Sequence, residues 1–473
     1  MSKNIPLLLS SIFVFSCASA PKRKNLDTSV DVPQTWSRGL LTEAQIDSAW
    51  WNEFNDPKLN ETLGKVFSRN FNLAIAAANL QTAAAQATIA GAPLLPQVNL
   101  SADGRRSKQN FIGFPIPGAE KRVLSTTINS FGLAMNLSWE LDLWGRLSAD
   151  KAAAVAQLQA SQADLVGAAL SLAAQTSKAW FAAIEAKRQV DLSRATVDSW
   201  QLSNQQVKRR YESGLTSSLD YRLSLSNLAI AQANLATSES QYEGALRQLE
   251  ILLSQYPSAN LALSDDLPQV SKQVPAGLPV DLLSRRPDLA AAERRVAAAT
   301  STVASAKRAL LPRISLTGSG GTSSNQLSDL LSGDFSVWNI AGNILQPIFQ
   351  GGRLRANVKL AKSQAEVALF NYQQSALNAF AEVENALANE RYLSQRQTAL
   401  EEATRQALAA RDLAESQYGR GLIDFITMLE TQRSAFETEK QLLTVRRQRL
   451  DARIDLYLAL GGGFSVNDER NQI

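Results

Sequence analysis

Phe131-Gly132-Leu133-Ala134-Met135-Asn136-Leu137-Ser138-Trp139-Glu140-Leu141-Asp142-Leu143 alternates without a break. Every odd position is large and apolar, and every even position is polar or small. A period of two marks a β-strand with two unlike faces. An aromatic-capped apolar face opposite Ser, Asn, Glu and Asp suits lipid on one side and water on the other. The alternative is an amphipathic hairpin laid over a soluble core.

The phase recurs 207 residues later, where Trp338, Ile340, Ile344 and Ile348 correspond to Phe131, Leu133, Leu137 and Leu141. The repetition runs through the chain, and such internal repeats fix architecture before any local reading does. Leu94-Leu95-Pro96 and Leu310-Leu311-Pro312 are 216 residues apart, as are Asn72-Leu73 and Asp288-Leu289. Gly145-Arg146-Leu147 and Gly352-Arg353-Leu354 are 207 apart, as are Tyr211-x-x-Gly214-Leu215 and Tyr418-x-x-Gly421-Leu422. Each copy predicts an Ala-rich helix (73–92, 288–309), an alternating hairpin, a long helix (about 147–210 and 354–417), a Gly turn, and a shorter helix (about 220–253 and 427–460). Arg286-Pro287-Asp288 is a helix-start signal, with Pro in the first turn beside an acid.

Two hairpins give four strands. A sheet in lipid must close on itself, and about eight strands is the smallest membrane barrel. One chain therefore cannot close its own barrel. Two chains would give a barrel filled by side chains, and three would give twelve strands around a lumen. Tyr211 follows Arg146 by 65 residues, and Tyr418 follows Arg353 by 65, with no proline in either stretch. A helix of that length spans roughly 100 Å, more than one globular core requires. Its alanines allow close helix packing, as in a tunnel wall or a solid coiled coil. The fold class is mainly α with a β-barrel part.

Composition narrows the function. No run of about 18 apolar residues is present, so a helical membrane span is not expected. A net charge of +4 over 473 residues does not point to nucleic acid. There is no histidine and one cysteine, Cys17, which removes an internal disulfide, Cys/His zinc sites and His-based nucleophilic mechanisms. Nothing converges on a phosphate loop or a nucleophile elbow, so neither an enzyme nor a cofactor is expected.

Residues 1–20 begin with Lys3 and continue into an apolar stretch from Ile5 to Phe15, which reads as a signal peptide. Val14-Phe15-Ser16-Cys17 resembles a bacterial lipobox. That resemblance implies cleavage before Cys17 and its acylation, with Ala18 resembling outer-membrane sorting.

Several motifs together resemble one family. They are Trp50-Trp51-Asn52-Glu53-Phe54-x-Asp56-Pro57-x-Leu59, the run Asp281-Leu282-Leu283-x-Arg285-Arg286-Pro287-Asp288-Leu289 with Ala292-Glu293-Arg294-Arg295, both Leu-Leu-Pro elements, Gly351-Gly352-Arg353-Leu354, and both Tyr-x-x-Gly-Leu turns. In this order they resemble the lipoprotein outer-membrane efflux factors, similar to TolC and OprM, over about residues 45–465. The resemblance implies a homotrimer with a twelve-stranded barrel in outer-membrane lipid. It implies a periplasmic helical tunnel, a periplasmic adaptor and an inner-membrane pump of RND type. A type I secretion duct or a lipid-anchored coiled-coil protein are the rival readings.

The implied layout is a signal peptide at 1–16, an anchor segment at 17–60, repeats at 61–257 and 286–461, a linker at 258–285 and a tail at 462–473. Gly214-Leu215-Thr216 and Gly421-Leu422-Ile423 match the family's adaptor-docking tips. Asp220 matches an acidic entrance position. Thr427 and Glu430 stand at the corresponding positions of the second copy, with Asp424 nearby. The lipid-facing set is Phe131, Leu133, Met135, Leu137, Trp139, Trp338, Ile340 and Ile344.

Overall fold

The computed structural model describes residues 49–111, 123–269 and 282–463, with a few isolated positions outside these ranges. Cys17, the signal segment and Asp281 lie outside the described residues. The elements are α1 (Pro57–Arg69), α2 (Phe71–Gly91), β1 (Gln97–Phe111), β2 (Leu124–Leu141), α3 (Arg146–Glu212) and α4 (Ser218–Leu252). They continue as α5 (Leu282–Arg285), α6 (Pro287–Arg308), β3 (Arg313–Ser324), β4 (Ser336–Leu345), α7 (Arg353–Gly419) and α8 (Phe425–Ala459). The repeat is visible in the lengths. Both α3 and α7 have 67 residues, and both α4 and α8 have 35.

Contacts divide the chain into two compact units. Of the described residues, the first comprises 81–111, 123–160 and 293–370, with Pro21 and Lys22, and contains the sheet. Its four strands are antiparallel in the order β1-β2-β3-β4, so β1 and β4 are open edges within one chain. Residues directly opposite each other point to the same face, so the register tests the alternation across all four strands. Leu137 of β2 faces Val98 on one side and Gly318 on the other, and Gly318 faces Ile340. The next row is Leu100, Met135, Gly320 and Trp338. The polar rows fall between them: Asn99, Asn136, Ser319 and Asn339 share the other face. One sheet thus carries one apolar and one polar face.

Two sequence expectations are corrected here. Ile348 and Leu143 do not hold strand phase, because β4 ends at Leu345 and β2 at Leu141. Pro347 lacks the N–H a ladder needs. Leu143 lies in the tight turn before α3, where the Asp142 carboxylate accepts from the backbone N–H groups of Leu147 (2.8 Å) and Ser148 (2.7 Å). Such a carboxylate satisfies the free donors at a helix start.

Of the described residues, the second unit comprises 49–80, 161–269, 282–292 and 371–463, with a few isolated positions, and is mainly helical. Ala376, Ala379, Val383 and Ala386 on α7 are buried at a 3-4-3 spacing, the period of a coiled-coil seam. The Trp-Trp-Asn-Glu-Phe motif forms a short 3-10 helix whose Trp50 is buried and stacks on Tyr457 of α8 at 5.2 Å. Asp56 is buried and caps α1, accepting from the N–H groups of Lys58 and Leu59. It also accepts from Trp180 Nε1 on α3 (2.8 Å) and Ser264 Oγ (2.7 Å). Four donors around one buried carboxylate offset its desolvation and tie α1, α3 and the segment after α4 together.

The tip turns as a candidate docking and entrance site

Both long helices end in the same way. Gly214 has φ +75 and Gly421 φ +78, a left-handed conformation that costs glycine no Cβ clash. The Gly214 N–H donates to Tyr211 O (2.9 Å) and the Leu215 N–H to Arg210 O (2.7 Å). Gly421 donates to Tyr418 O (3.0 Å) and Leu422 to Gln417 O (3.0 Å). Each pair is a Schellman cap, in which the residue after Gly normally packs an apolar side chain back on the helix. Here the helix residues it would meet are Arg210 and Gln417. The two leucines find no apolar partner there and are 69% and 67% exposed.

The caps of the next helices lie three residues past these glycines, and they explain the departure at Thr427. At the offset of 207, Ser217 corresponds to Asp424 and Asp220 to Thr427. In the first copy Ser217 is the cap: its Oγ accepts from the Asp220 N–H (3.1 Å), and Asp220 accepts back from the Ser217 N–H (3.3 Å). In the second copy Asp424 is the cap and accepts from the Thr427 N–H (2.8 Å). The acid has moved from the third helical position to the cap itself, so each turn keeps one carboxylate near a helix N-terminus, where the dipole favours it.

Burial acts most strongly on the Asp220 carboxyl and opposes ionisation. Hydrogen bonds from Thr216 (2.7 Å) and Ser217 together outweigh burial and the repulsion from Asp424, so Asp220 titrates below the usual aspartate range. Asp424 is also lowered, chiefly by its hydrogen bonds from Thr427. Both remain anions at neutral pH. Glu430 is exposed one turn further along α8, where it meets Arg433 at 3.5 Å.

The structure brings the two tips side by side through Arg210, which sequence reasoning missed. Its Nη1 donates to Tyr418 O (2.9 Å), and its guanidinium lies 4.8 Å from the centre of the Tyr418 ring. Burial pushes the Tyr418 hydroxyl above the ordinary tyrosine range. Beneath the turns Trp200, Val207, Tyr418, Phe425, Met428 and Leu429 form a buried cluster, giving the tips a rigid base. Leu219 and Ile426 were missed as well. They are 62% and 52% exposed, four residues beyond Leu215 and Leu422 in the first turn of the next helix. The signal was present in the repeat, because Leu215-x-x-x-Leu219 and Leu422-x-x-x-Ile426 are again 207 residues apart.

Comparison with known proteins agrees over nearly the whole chain. The pyoverdine export outer membrane protein OpmQ of Pseudomonas aeruginosa is 31% identical, covering 98% of this chain and 97% of that protein. The outer membrane protein OprJ of the same organism is 31% identical, covering 97% of this chain and 96% of that one. Among solved structures, the Campylobacter jejuni CmeC outer membrane channel superposes with a TM-score of 0.87 at 25% identity, covering 95% of this chain and 96% of that one. The outer membrane efflux protein family matches residues 62–255 and 278–462, one stretch for each copy of the internal repeat. The match takes in both copies of the repeat and most of the chain, and the chain belongs to that family.

Proposed function

We propose that three copies of this chain close their sheets into one twelve-stranded barrel and form the exit duct of a tripartite efflux pump. As a family member the chain is an outer-membrane efflux channel. The trimer and the partners go beyond that. The observation that carries the trimer is the sheet itself: four strands share one apolar face and leave both edge strands unpaired. Open edges in hydrocarbon cost several kcal/mol for each unpaired backbone group, so the edges of neighbouring copies must meet. The test is electrophoresis of outer-membrane fractions with and without boiling. A band three times the chain mass that collapses on heating is expected, and a chain that runs as a monomer without heating excludes the shared barrel.

The exposed leucines at the tips support docking of a periplasmic adaptor, which links the duct to an inner-membrane pump, of RND type by the family resemblance. Asp220, Asp424, Thr427 and Glu430 are read as lining the entrance. Carboxylates repeated by symmetry around an axis repel one another and favour cations or bridging partners. Asp220→Ala is expected to raise passive entry of large antibiotics several-fold. Asp220→Asn, which keeps acceptors for the cap but not the charge, separates gating from helix capping. Unchanged entry in both variants removes Asp220 from the gate. Cys17 is read as the lipid anchor, since several acyl chains hold a protein stably where one does not. Mass spectrometry finding an unmodified Cys17 at the mature N-terminus would refute that.

A further inference from the structure

The lipid-side face of β1 does not end with its apolar residues. Reading along that face from the helical end, the side chains are Val98, Leu100, Ala102, Gly104, Arg106 and Lys108. The matching face of β2 runs Leu137, Met135, Leu133, Phe131, Asn129 and Thr127 in register. The last large apolar side chain in these rows is Phe131, whose ring covers Gly104: a Cβ added there would meet Phe131 Cδ1 at 3.3 Å. The next two rows pair Arg106 with Asn129 and Lys108 with Thr127. All four side chains are exposed. No described residue forms an ion pair with either cation.

The position of these rows can be placed. From Leu141 to Phe131 the apolar face covers ten residue steps, roughly 34 Å along the strand. A tilt of about 40° reduces that to about 25 Å, the height of the apolar band of an outer-membrane barrel. Arg106 and Lys108 therefore stand at its boundary. The side follows from connectivity together with the proposed function. Gln97, Leu141, Arg313 and Leu345 all lie at the end of the sheet that leads into helices, and no described helix is long and apolar enough to cross a membrane. With these helices read as the periplasmic tunnel of the proposed function, the other end of the sheet, with Arg106 and Lys108, faces outward.

Strand alternation makes the placement selective. Arg105, between Gly104 and Arg106, pairs with Ser130 on the polar face, as Asp103 pairs with Gly132. The acid is therefore on the water side and cannot neutralise the two outer cations. Arg106 and Lys108 are about 7 Å apart along one face, flanked by the hydroxyl of Thr127 and the amide of Asn129. Guanidinium and ammonium groups with neighbouring hydrogen-bond donors suit phosphate oxygens.

We propose that Arg106 and Lys108 form a binding site on the outer wall of the barrel for the phosphate groups of the outer-leaflet glycolipid. This rests on the reading of the apolar face as lipid-facing. The two cations hold headgroup phosphates at the level where the apolar band ends, and so fix the depth and orientation of the barrel. An arginine or lysine on the apolar rows would be expelled, but at this boundary its aliphatic stem covers apolar surface while its charge reaches the headgroups.

The test uses the full chain purified in detergent, with native mass spectrometry of retained lipid. The probes are diphosphorylated lipid A, its dephosphorylated form, and phosphatidylglycerol. The wild type is expected to retain the diphosphorylated form preferentially. The double variant Arg106→Ser, Lys108→Ser is expected to weaken that retention about thirtyfold, which corresponds to roughly 2 kcal/mol at about 1 kcal/mol per basic residue near an anionic headgroup. Arg105→Ser, the same charge loss on the opposite face, is expected to change nothing. Undiminished retention by the double variant overturns the proposal. Equal retention of phosphatidylglycerol overturns it in favour of general attraction to anionic lipid, and an equal loss in Arg105→Ser overturns the face assignment. Insertion into lipid vesicles is read in parallel. A wild type that inserts but shows no glycolipid preference defeats only this inference, whereas one that does not insert defeats the barrel reading and this inference with it.

Discussion

Ile340→Arg is expected to abolish assembly of the heat-resistant oligomer, while Asn339→Arg, one residue away, is expected to leave it intact. Ile340 is 71% exposed and shares its row with Gly318, Leu137 and Val98. That row lies near the middle of the apolar face. Arginine on the lipid face of an outer-membrane barrel costs about 2–4 kcal/mol at the midplane, and the cost falls toward the interfaces. In a trimer the charge enters three times, so the penalty reaches roughly 6–12 kcal/mol, comparable with the whole stability of a typical domain. Asn339 pairs with Ser319 on the polar face, where a long cation meets water. Outer-membrane fractions run unheated would show the oligomer for Asn339→Arg only. Normal assembly of Ile340→Arg would mean that this face does not meet hydrocarbon.

The same substitution pair shows how much of the fold could be read from residues. The alternation in β2 is unbroken, and it identified both faces of its own strand. In β3 the apolar-face positions include Gly318 and Gly320, which carry no hydrophobic signal, and the outer half of β1 carries Arg105-Arg106-Ser107-Lys108. Their faces become readable only through register with β2. The repeat offset was the second strong signal, because a turn that occurs twice in the same grammar is placed by its copy. It located both glycine caps to the residue. It did not reveal that Ser217 and Asp424 are equivalent caps. That requires knowing where α4 and α8 begin, and helix ends are the least certain part of a sequence reading. Asp56 shows a different limit. Its role depends on Trp180 and Ser264, which are 124 and 208 residues away, and no local pattern joins them. Arg210 is hidden for the same reason, since its partner Tyr418 is 208 residues distant.

The tip leucines give the second large effect, and here function and stability separate. Leu215→Asp with Leu422→Asp is expected to abolish export while the oligomer forms in normal amount. Both side chains are mostly exposed within the chain, and surface substitutions of this kind usually change stability by no more than about 0.5 kcal/mol. The Schellman backbone bonds do not use the leucine side chain, so the turn itself is unaffected. Docking is a different matter. Burying a leucine against a partner contributes about 1.5–3 kcal/mol, and a carboxylate in its place must also be desolvated. With both leucines changed, the contact of a single chain loses at least about 3 kcal/mol, which is more than a hundredfold in affinity. Leu219→Asp with Ile426→Asp, four residues further on and likewise exposed, is expected to give a graded loss. The measurements are accumulation of a fluorescent efflux dye in the native host and crosslinking from residue 215 to the adaptor. If export persists with both tip leucines charged, docking lies elsewhere on the wall. If export is lost together with the oligomer, the leucines are structural despite their exposure, because a docking contact alone leaves the oligomer untouched.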